Sequence, residues 1–265
     1  AVIAIVNRRN SDLTDRSDGV LYTSDGRDVE MSVASTKAFY AQIAAGFLLA
    51  FAVAEAAGAD VRAHGDLLTA LRALPGSMER VLARRSEIAP IATRLAPARR
   101  SWAVVGNGVN RIAASEVRIK LSELCYKSIA CDATEDKKHI DLSAEPLVIV
   151  CAAGLRGSNA DDVAKEIAIY GAHKAAAIAV VDEGDARFGA ALEVVPVPVT
   201  HPDLGFVLAA MAGHLFGYEA ALAIDASARP LREARAAIEA AFGDGTDDAA
   251  RATDGLAEEI GKAHV

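Results

Sequence analysis

Aromatic residues are scarce in this sequence, and their scarcity limits the kind of core that the chain can build. Phenylalanine, tryptophan and tyrosine make up 5% of the 265 residues, whereas hydrophobic residues together make up 52%. Alanine and valine supply most of the apolar content, so the core must be aliphatic. This balance is typical of helices stacked on a parallel sheet and disfavours an all-β sandwich.

Basic runs and cysteines are also scarce. The net charge is −8 and no long stretch of lysine and arginine occurs. A nucleic-acid partner is therefore disfavoured, because backbone binding needs a concentrated positive face. The three cysteines, Cys125, Cys131 and Cys151, are an odd number without the spacing of a metal site. We expect reduced, buried thiols, no metal and no cofactor.

No apolar run reaches the roughly 20 residues that a membrane-spanning helix needs. The one candidate, Ala38–Ala54, is interrupted by Gln42 and lies between Lys37 and Glu55. It predicts a buried core helix, so no membrane partner is expected. The first residues, AVIAIV, are too short an apolar run for a signal peptide and predict a buried strand. Because they do not begin with methionine, we expect a piece of a longer, cytoplasmic protein.

The first part of the chain predicts two strands and several helices. After AVIAIV and a second short strand, VLYT, a long helix is predicted to open at Ser35 and to stop at Gly58. The segment that follows carries apolar residues at spacings of three and four, which indicates connecting helices. Breaks in these helices are predicted near Pro75 and Pro90.

A second series of strands and helices starts at Ser101. Apolar strands at SWAVVG, IACD, EPLVIVCAAG, AAAIAVVD and LEVVPVP alternate with helices, and the last helix is predicted over His201–Leu222. This order predicts an α/β fold with a doubly wound parallel sheet flanked by helices. From about Phe242 the chain is polar and rich in glycine, aspartate and alanine, as in a loose tail.

Two helix starts have both a structural and a binding interpretation. Gly106 and Gly108 allow a tight turn that either joins strand to helix or aims backbone amides at an anion. A nicotinamide dinucleotide is disfavoured there, because Arg111 stands where the fingerprint needs a third glycine. Ser35 is either an N-cap or the start of a site for a phosphate or a sugar hydroxyl.

Four charged residues recur every three or four positions after this turn: Glu116, Lys120, Glu123 and Lys127. They form either a solvated face joined by ion pairs, or a site where Glu123 transfers a proton and Lys120 holds Glu123 or the substrate in place. His139 is likewise either a surface residue beside lysines or an imidazole that opens a sugar ring. Spacing alone leaves both alternatives open.

Three segments resemble the glutamine–fructose-6-phosphate aminotransferases, also called glucosamine-6-phosphate synthases. EMSVASTKAFYAQ is similar to the family's EIGVASTKAFTTQ-type segment and matches it at seven consecutive residues, Val33–Phe39. GNGVNRIAASEVRIKLSELCYKS is similar to GRG…ALEGALKLKEISY, and ARPLREAR is similar to the C-terminal PRNLAK-type loop. The resemblance covers about residues 1–238.

The resemblance implies two domains of the sugar-isomerase (SIS) fold. Residues 1–60 would be the C-terminal end of the first domain and 101–240 the second, with a helical connector at 61–100 and a polar tail at 241–265. The implied reaction converts fructose 6-phosphate to glucosamine 6-phosphate with nitrogen from glutamine or ammonia.

By the same resemblance, Glu123 moves the proton between C1 and C2 of the sugar, and Lys120 stabilises Glu123. His139 of a neighbouring subunit opens the sugar ring. Around His139 the family's AAGELKHGP appears as DATEDKKHID. The family's Schiff-base lysine is Arg235 here, and a guanidinium stays protonated and is a poor amine nucleophile. Arg235 is therefore expected to hold a phosphate or to polarise a carbonyl.

The resemblance also implies binding residues and partners. Val33, Ser35 and Ala234 fall at sugar-contacting positions. An active site built from two subunits implies a homodimer or a higher homo-oligomer. The family's glutaminase domain and the phosphate-binding loop of the first SIS domain are missing from this sequence, so a glutaminase domain is expected upstream in a longer protein.

Two other functions stay open. One is an SIS sugar-phosphate isomerase or deaminase with altered chemistry at Arg235, and the other is a non-catalytic SIS module that senses a sugar phosphate. Retention of Glu123 and His139 favours an enzyme, whereas Arg235 in place of lysine favours a sensor or altered chemistry.

Overall fold

A computed structural model describes residues 1–24, 35–137 and 145–243 of the chain. The chain divides into two compact units, Ala1–Pro75 and Gly76–Val265. In the first unit, strands β1 (Ile3–Val6) and β2 (Gly19–Tyr22) pair in parallel. Its helices are α1 (Asp12–Asp15), α2 (Thr36–Ala56) and the start of α3 (Gly65–Ala83), which follows a 3-10 turn at Val61–His64.

The limits of α2 confirm the sequence prediction. Ser35 is its N-cap, and the Ser35 Oγ accepts a hydrogen bond from the Ala38 backbone N–H at 3.2 Å. The helix ends at Ala56, and Gly58 follows in the left-handed conformation at φ +80°. The N-cap serine and the left-handed glycine each act over a few residues, so sequence alone was sufficient to predict both ends of the helix.

The predicted burial of α2 is wrong. Of its residues, all of which the structure describes, Ala38 alone is buried. The two strands of the first unit make a sheet too narrow to cover a helix of 21 residues. By length and composition, α2 and the last helix of the chain could each cross a membrane, with mean hydropathies of 1.6 and 1.5. The apolar window of the last helix is 67% buried, whereas that of α2 is 6% buried.

The second unit has the predicted doubly wound parallel sheet. Its strands are β3 (Trp102–Gly106), β4 (Ala130–Asp132), β5 (Leu147–Cys151), β6 (Ala176–Asp182) and β7 (Glu193–Val197), and their spatial order is β4-β3-β5-β6-β7. Its helices include α4 (Arg85–Leu95), α5 (Asn110–Cys125), α6 (Thr134–Lys137), α7 (Gly157–Ala172) and α8 (Gly205–Gly243). The direction of winding reverses between β3 and β5, which makes that point the topological switch.

The core of this unit is mainly aliphatic, as the scarcity of aromatics predicts. Every residue of β5 and β6 is buried. One core cluster joins these strands to the inner face of α7, which contributes Val163, Ile167 and Tyr170. Such near-continuous apolar strands are expected where helices cover both faces of a parallel sheet.

The helix breaks predicted at Pro75 and Pro90 are wrong. Pro75 lies inside α3 and Pro90 lies inside α4, and the chain leaves helical geometry at Arg84 instead. An interior proline removes one hydrogen bond and bends a helix, but packing can offset that cost. Ile88 and Ala92, on either side of Pro90, are fully buried, so this helix is held by its contacts.

Candidate functional site

Helix α5 carries the charged residues that the sequence analysis identifies, and it lies beside the topological switch of the sheet. It begins at Asn110, four residues after β3 ends, and it packs against β3, β4 and β5. The buried Asn110 side chain donates its Nδ2–H to the Ala153 carbonyl oxygen at 2.8 Å, which joins the loops after β3 and β5. Open α/β sheets bind ligands at this edge, whereas Glu116, Lys120 and Glu123 lie about two to four turns further along α5.

Helices α5 and α8 approach each other closely because two glycines of α8 face α5. A Cβ atom at Gly213 would lie 2.3 Å from Cγ2 of Val117, and one at Gly217 would lie 3.1 Å from Cδ2 of Leu121. Both partner residues are fully buried. The close approach brings the side chain of His214, the residue after Gly213, within reach of α5.

Three of the four predicted charged residues form a cluster on α5. The Lys120 Nζ lies 3.6 Å from Oε1 of Glu116 and 4.0 Å from Oε2 of Glu123. The side chains of Lys120 and Glu116 are 9% and 12% exposed, whereas that of Glu123 is 43% exposed. The cluster is therefore not a solvated face: a buried ammonium lies beside one partly buried carboxylate and one that is more exposed to solvent.

The fourth residue, Lys127, does not join this cluster. Helix α5 ends at Cys125, and Tyr126 takes the left-handed conformation at φ 52°. The helical spacing therefore stops before Lys127, whose Nζ lies 3.5 Å from the Arg99 carbonyl oxygen and 4.9 Å from the centre of the Trp102 ring.

His214 of α8 completes the cluster from the opposite helix. Its Nε2 lies 3.3 Å from Oε1 of Glu116, and its side chain is 11% exposed. Burial alone would raise the pKa of Glu116, but the neighbouring His214 imidazole and the charge of Lys120 outweigh burial and lower it. The buried Glu116 carboxyl group is thus held ionised between two helices.

The remaining predicted site residues lie elsewhere. Val33 and His139 fall outside the described residues. Ser35 caps α2 in the first unit. Ala234 is buried within α8.

Arg235 does not lie in a C-terminal loop, and the predicted end of the last helix at Leu222 is wrong. Helix α8 continues through Pro230 to Gly243, because this stretch is rich in alanine, arginine and glutamate, which favour helix. The Arg235 side chain is 79% exposed and donates to Oε1 of Glu239 at 2.7 Å, one turn along the same helix.

Asp182 and Arg156, at the carboxyl edge of the sheet, are paired with each other. Asp182 accepts hydrogen bonds from the Gly154 backbone N–H at 2.9 Å and from Nη1 of Arg156 at 2.7 Å. The Arg156 guanidinium therefore already has an acidic partner. Within residues 1–24, 35–137 and 145–243, no group of three or more His, Cys, Asp or Glu side chains could hold a metal ion.

The cysteines are free thiols, and two of them are buried as predicted. Burial raises the pKa of Cys125 to about 11 and that of Cys151 to about 12. Cys131 is only partly buried, which corrects the prediction for this residue, because β4 is the edge strand of the sheet.

We expect Cys131 alone to react rapidly with a disulfide reagent such as Ellman's reagent in the folded chain near neutral pH. The thiolate is the reactive form, and the raised pKa values of the two buried cysteines keep them as thiols. The rate of thiol release checks this expectation. Cys131→Ser should remove the rapid phase, and a rapid phase that persists in that variant would contradict the assignment.

Sequence reasoning included Glu116 in the charged face but gave it no role, and it missed His214. The available signal was the pattern Gly213-His214-Leu215-Phe216-Gly217 in the last helix, since two glycines four residues apart indicate close helix packing. Sequence could not reveal that the helix facing these glycines is α5.

No family model matches the chain. Among curated proteins, it is 33% identical over 229 residues to the glutamine–fructose-6-phosphate aminotransferase of Streptomyces coelicolor, an alignment that covers 84% of this chain and 37% of that protein. The enzyme of the same name from Thermus thermophilus is 32% identical over 224 residues, covering 83% of this chain and 36% of the enzyme. The chain thus spans little more than a third of the length of these relatives.

Solved structures show the same fold. The C-terminal domain of glucosamine-fructose-6-phosphate aminotransferase from Francisella tularensis superposes with a TM-score of 0.75 at 21% identity, covering 84% of this chain and 62% of that one. Tagatose-6-phosphate ketose/aldose isomerase from Escherichia coli superposes with a TM-score of 0.59 at 16% identity, covering 83% of this chain and 60% of that one.

Proposed function

We propose that this chain converts fructose 6-phosphate to glucosamine 6-phosphate. The premise is that it has the SIS fold and is homologous to the C-terminal SIS part of the glutamine–fructose-6-phosphate aminotransferases. The nitrogen would come from glutamine or ammonia. Identities of 32–33% over more than four-fifths of the chain support this proposal. The structural observation that carries it is the partly exposed Glu123 carboxylate beside the buried Lys120 ammonium.

Glu123 has the access and the neighbour that proton transfer requires. In this reaction a proton leaves C1 of the ketose-derived substrate and returns to C2, which leaves an aldehyde at C1. A carboxylate within reach of both carbons can carry that proton. Negative charge accumulates on the substrate while the proton is held, and the Lys120 ammonium stabilises this charge.

The other predicted residues complete the proposal. His139 of a neighbouring subunit would open the sugar ring, and Val33, Ser35 and Ala234 would contact the sugar. We also infer two SIS domains, with 1–60 ending the first and 101–240 forming the second, joined by a connector at 61–100 and followed by a tail at 241–265. The working protein would be a cytoplasmic homo-oligomer with a glutaminase domain upstream of this segment.

Arg235 favours a second candidate function. A guanidinium cannot readily form the Schiff base that the family's lysine forms, and this one is exposed and paired with Glu239. An SIS sugar-phosphate isomerase moves the proton without any nitrogen chemistry, and a deaminase releases ammonia instead of accepting nitrogen from a donor, so both differ from the family's lysine-dependent reaction. A sugar-phosphate-sensing module needs neither the lysine nor the base.

The test is to incubate the full-length gene product with fructose 6-phosphate, alone and with glutamine or ammonia, and to assay for glucose 6-phosphate and glucosamine 6-phosphate. Amino sugar formed only when a nitrogen donor is present supports the aminotransferase. Glucose 6-phosphate alone supports the isomerase, and saturable binding without either product supports the sensor.

We expect Arg235→Lys not to lower isomerisation or amino-sugar formation. The exchange keeps a positive charge that can still pair with Glu239 on the helix surface, where an ion pair contributes at most about 1 kcal/mol to stability. Initial rates for the two products check this. A large loss of either rate would show that the arginine has a role of its own.

A further inference from the structure

The buried contact between His214 and Glu116 has no part in the proposed proton transfer, yet it reaches the residues that perform it. Oε1 of Glu116 lies 3.3 Å from the His214 Nε2 and 3.6 Å from the Lys120 Nζ. One carboxylate oxygen is thus shared by a group on α8 and a group on α5. Lys120 in turn lies 4.0 Å from Glu123. A chain of polar contacts therefore runs from His214 to Glu123.

We propose that His214 is a positioning residue that acts through Glu116 to hold Lys120 beside Glu123. This inference rests on the proposed function, because it concerns the same proton-transfer site. A carboxylate oxygen can only accept a hydrogen bond, so Nε2 must carry the proton. The 3.3 Å contact fixes Glu116 and supplies part of the compensation that its charge needs.

Loss of the histidine would change the surroundings of Lys120. Among the described residues, the ion pairs of Glu116 are those with Lys120 and His214. Without His214, Lys120 alone must compensate the buried carboxylate, so its ammonium shifts toward Glu116 and away from Glu123. The Lys120 ammonium is then misplaced for stabilising the proton transfer at Glu123, although Glu123 itself is unchanged.

The close packing of the helices makes this contact specific. Gly213 precedes the histidine, and a side chain at that position would collide with Val117 of α5. Glu116 is the neighbour of Val117 in sequence, so the glycine contact brings the imidazole to the carboxylate. A histidine that only filled space would be replaceable by an apolar residue of similar volume.

The experiment compares His214→Gln with His214→Leu in the full-length gene product. Glutamine can donate from its amide in place of Nε2–H, whereas leucine fills similar space without a donor. We expect His214→Leu to lower kcat for fructose 6-phosphate isomerisation about 10- to 100-fold with little change in KM, as for loss of a hydrogen bond to a charged group. His214→Gln should stay within about threefold of the parent. Equal activity of the two variants would overturn the proposal.

A second measurement decides the inference even if the parent protein does not isomerise fructose 6-phosphate, a result that would refute the proposed function alone. NMR of protein labelled with ¹³C-lysine, with the Lys120 Cε signal assigned by Lys120→Arg, should show that signal shifted in His214→Leu and close to the parent position in His214→Gln. Unchanged signals in both variants would overturn the proposal.

The parent protein supplies a test that no folding defect can affect. ¹⁵N-histidine NMR of the parent protein should show the His214 Nε2 protonated. A neutral ring protonated only on Nδ1 would mean that Nε2 cannot donate to Glu116, and the proposal would then be wrong.

Discussion

Replacing Glu123 by glutamine is expected to lower isomerisation of fructose 6-phosphate by about 10²- to 10⁴-fold, the contribution typical of a general acid or base. Glutamine has nearly the same shape but cannot accept and return a proton. Because the Glu123 side chain is 43% exposed, the loss of its charge should leave the fold intact. Initial rates at saturating substrate check the prediction, and circular dichroism checks the fold.

Glu79→Gln is the matched control for this prediction. Glu79 is an exposed glutamate on α3, a different helix from the one that carries the charged cluster. We expect the control variant to keep the parent's rate. If Glu123→Gln turned over at the same rate as Glu79→Gln, Glu123 would have no part in proton transfer.

Gly213→Val is expected to lower the free energy of unfolding by about 3 kcal/mol or more, at the upper end of the cost of overpacking a core. A Cβ atom there would lie 2.3 Å from Cγ2 and 2.8 Å from Cγ1 of Val117, a residue with no exposed surface. Neither helix can move away without disturbing the buried contacts along α5 and α8. Urea-induced unfolding, followed by circular dichroism, measures the change.

Two comparisons test the cause of this loss. Adding Val117→Ala to Gly213→Val should recover part of the stability, because it removes the atoms that collide. Gly76→Ala in α3 meets no atom within 4 Å, and alanine in a helix interior should raise stability by up to about 1 kcal/mol. A Gly213→Val protein as stable as the parent would mean that the two helices are not packed as described.

Several features followed from sequence because their causes are local. The N-cap at Ser35 and the stop at Gly58 depend on the conformations of a few neighbouring residues, and both are confirmed. The parallel sheet followed from the alternation of apolar strands with helices, since a parallel pair needs a crossover. The neighbouring positions of Lys120 and Glu123 followed from helical spacing.

Other features were predicted wrongly or missed because packing overrides local preference. Pro75 and Pro90 each indicated a helix break, yet both lie inside helices. The burial of α2 could not be judged from its apolar composition, because burial depends on what surrounds a helix. Arg235 was placed in a loop by resemblance, whereas its helix-forming neighbours extend α8 beyond it.

By itself, then, the sequence determined the α/β class, the strand order along the chain, the limits of α2 and a charged face on α5. Only the tertiary structure decided which part of that face is buried, and that His214, almost a hundred positions from Glu116, meets its carboxylate. The physical reason is that periodicity and capping act over a few residues, whereas the burial and pairing of a charge depend on elements that meet only when the chain has folded.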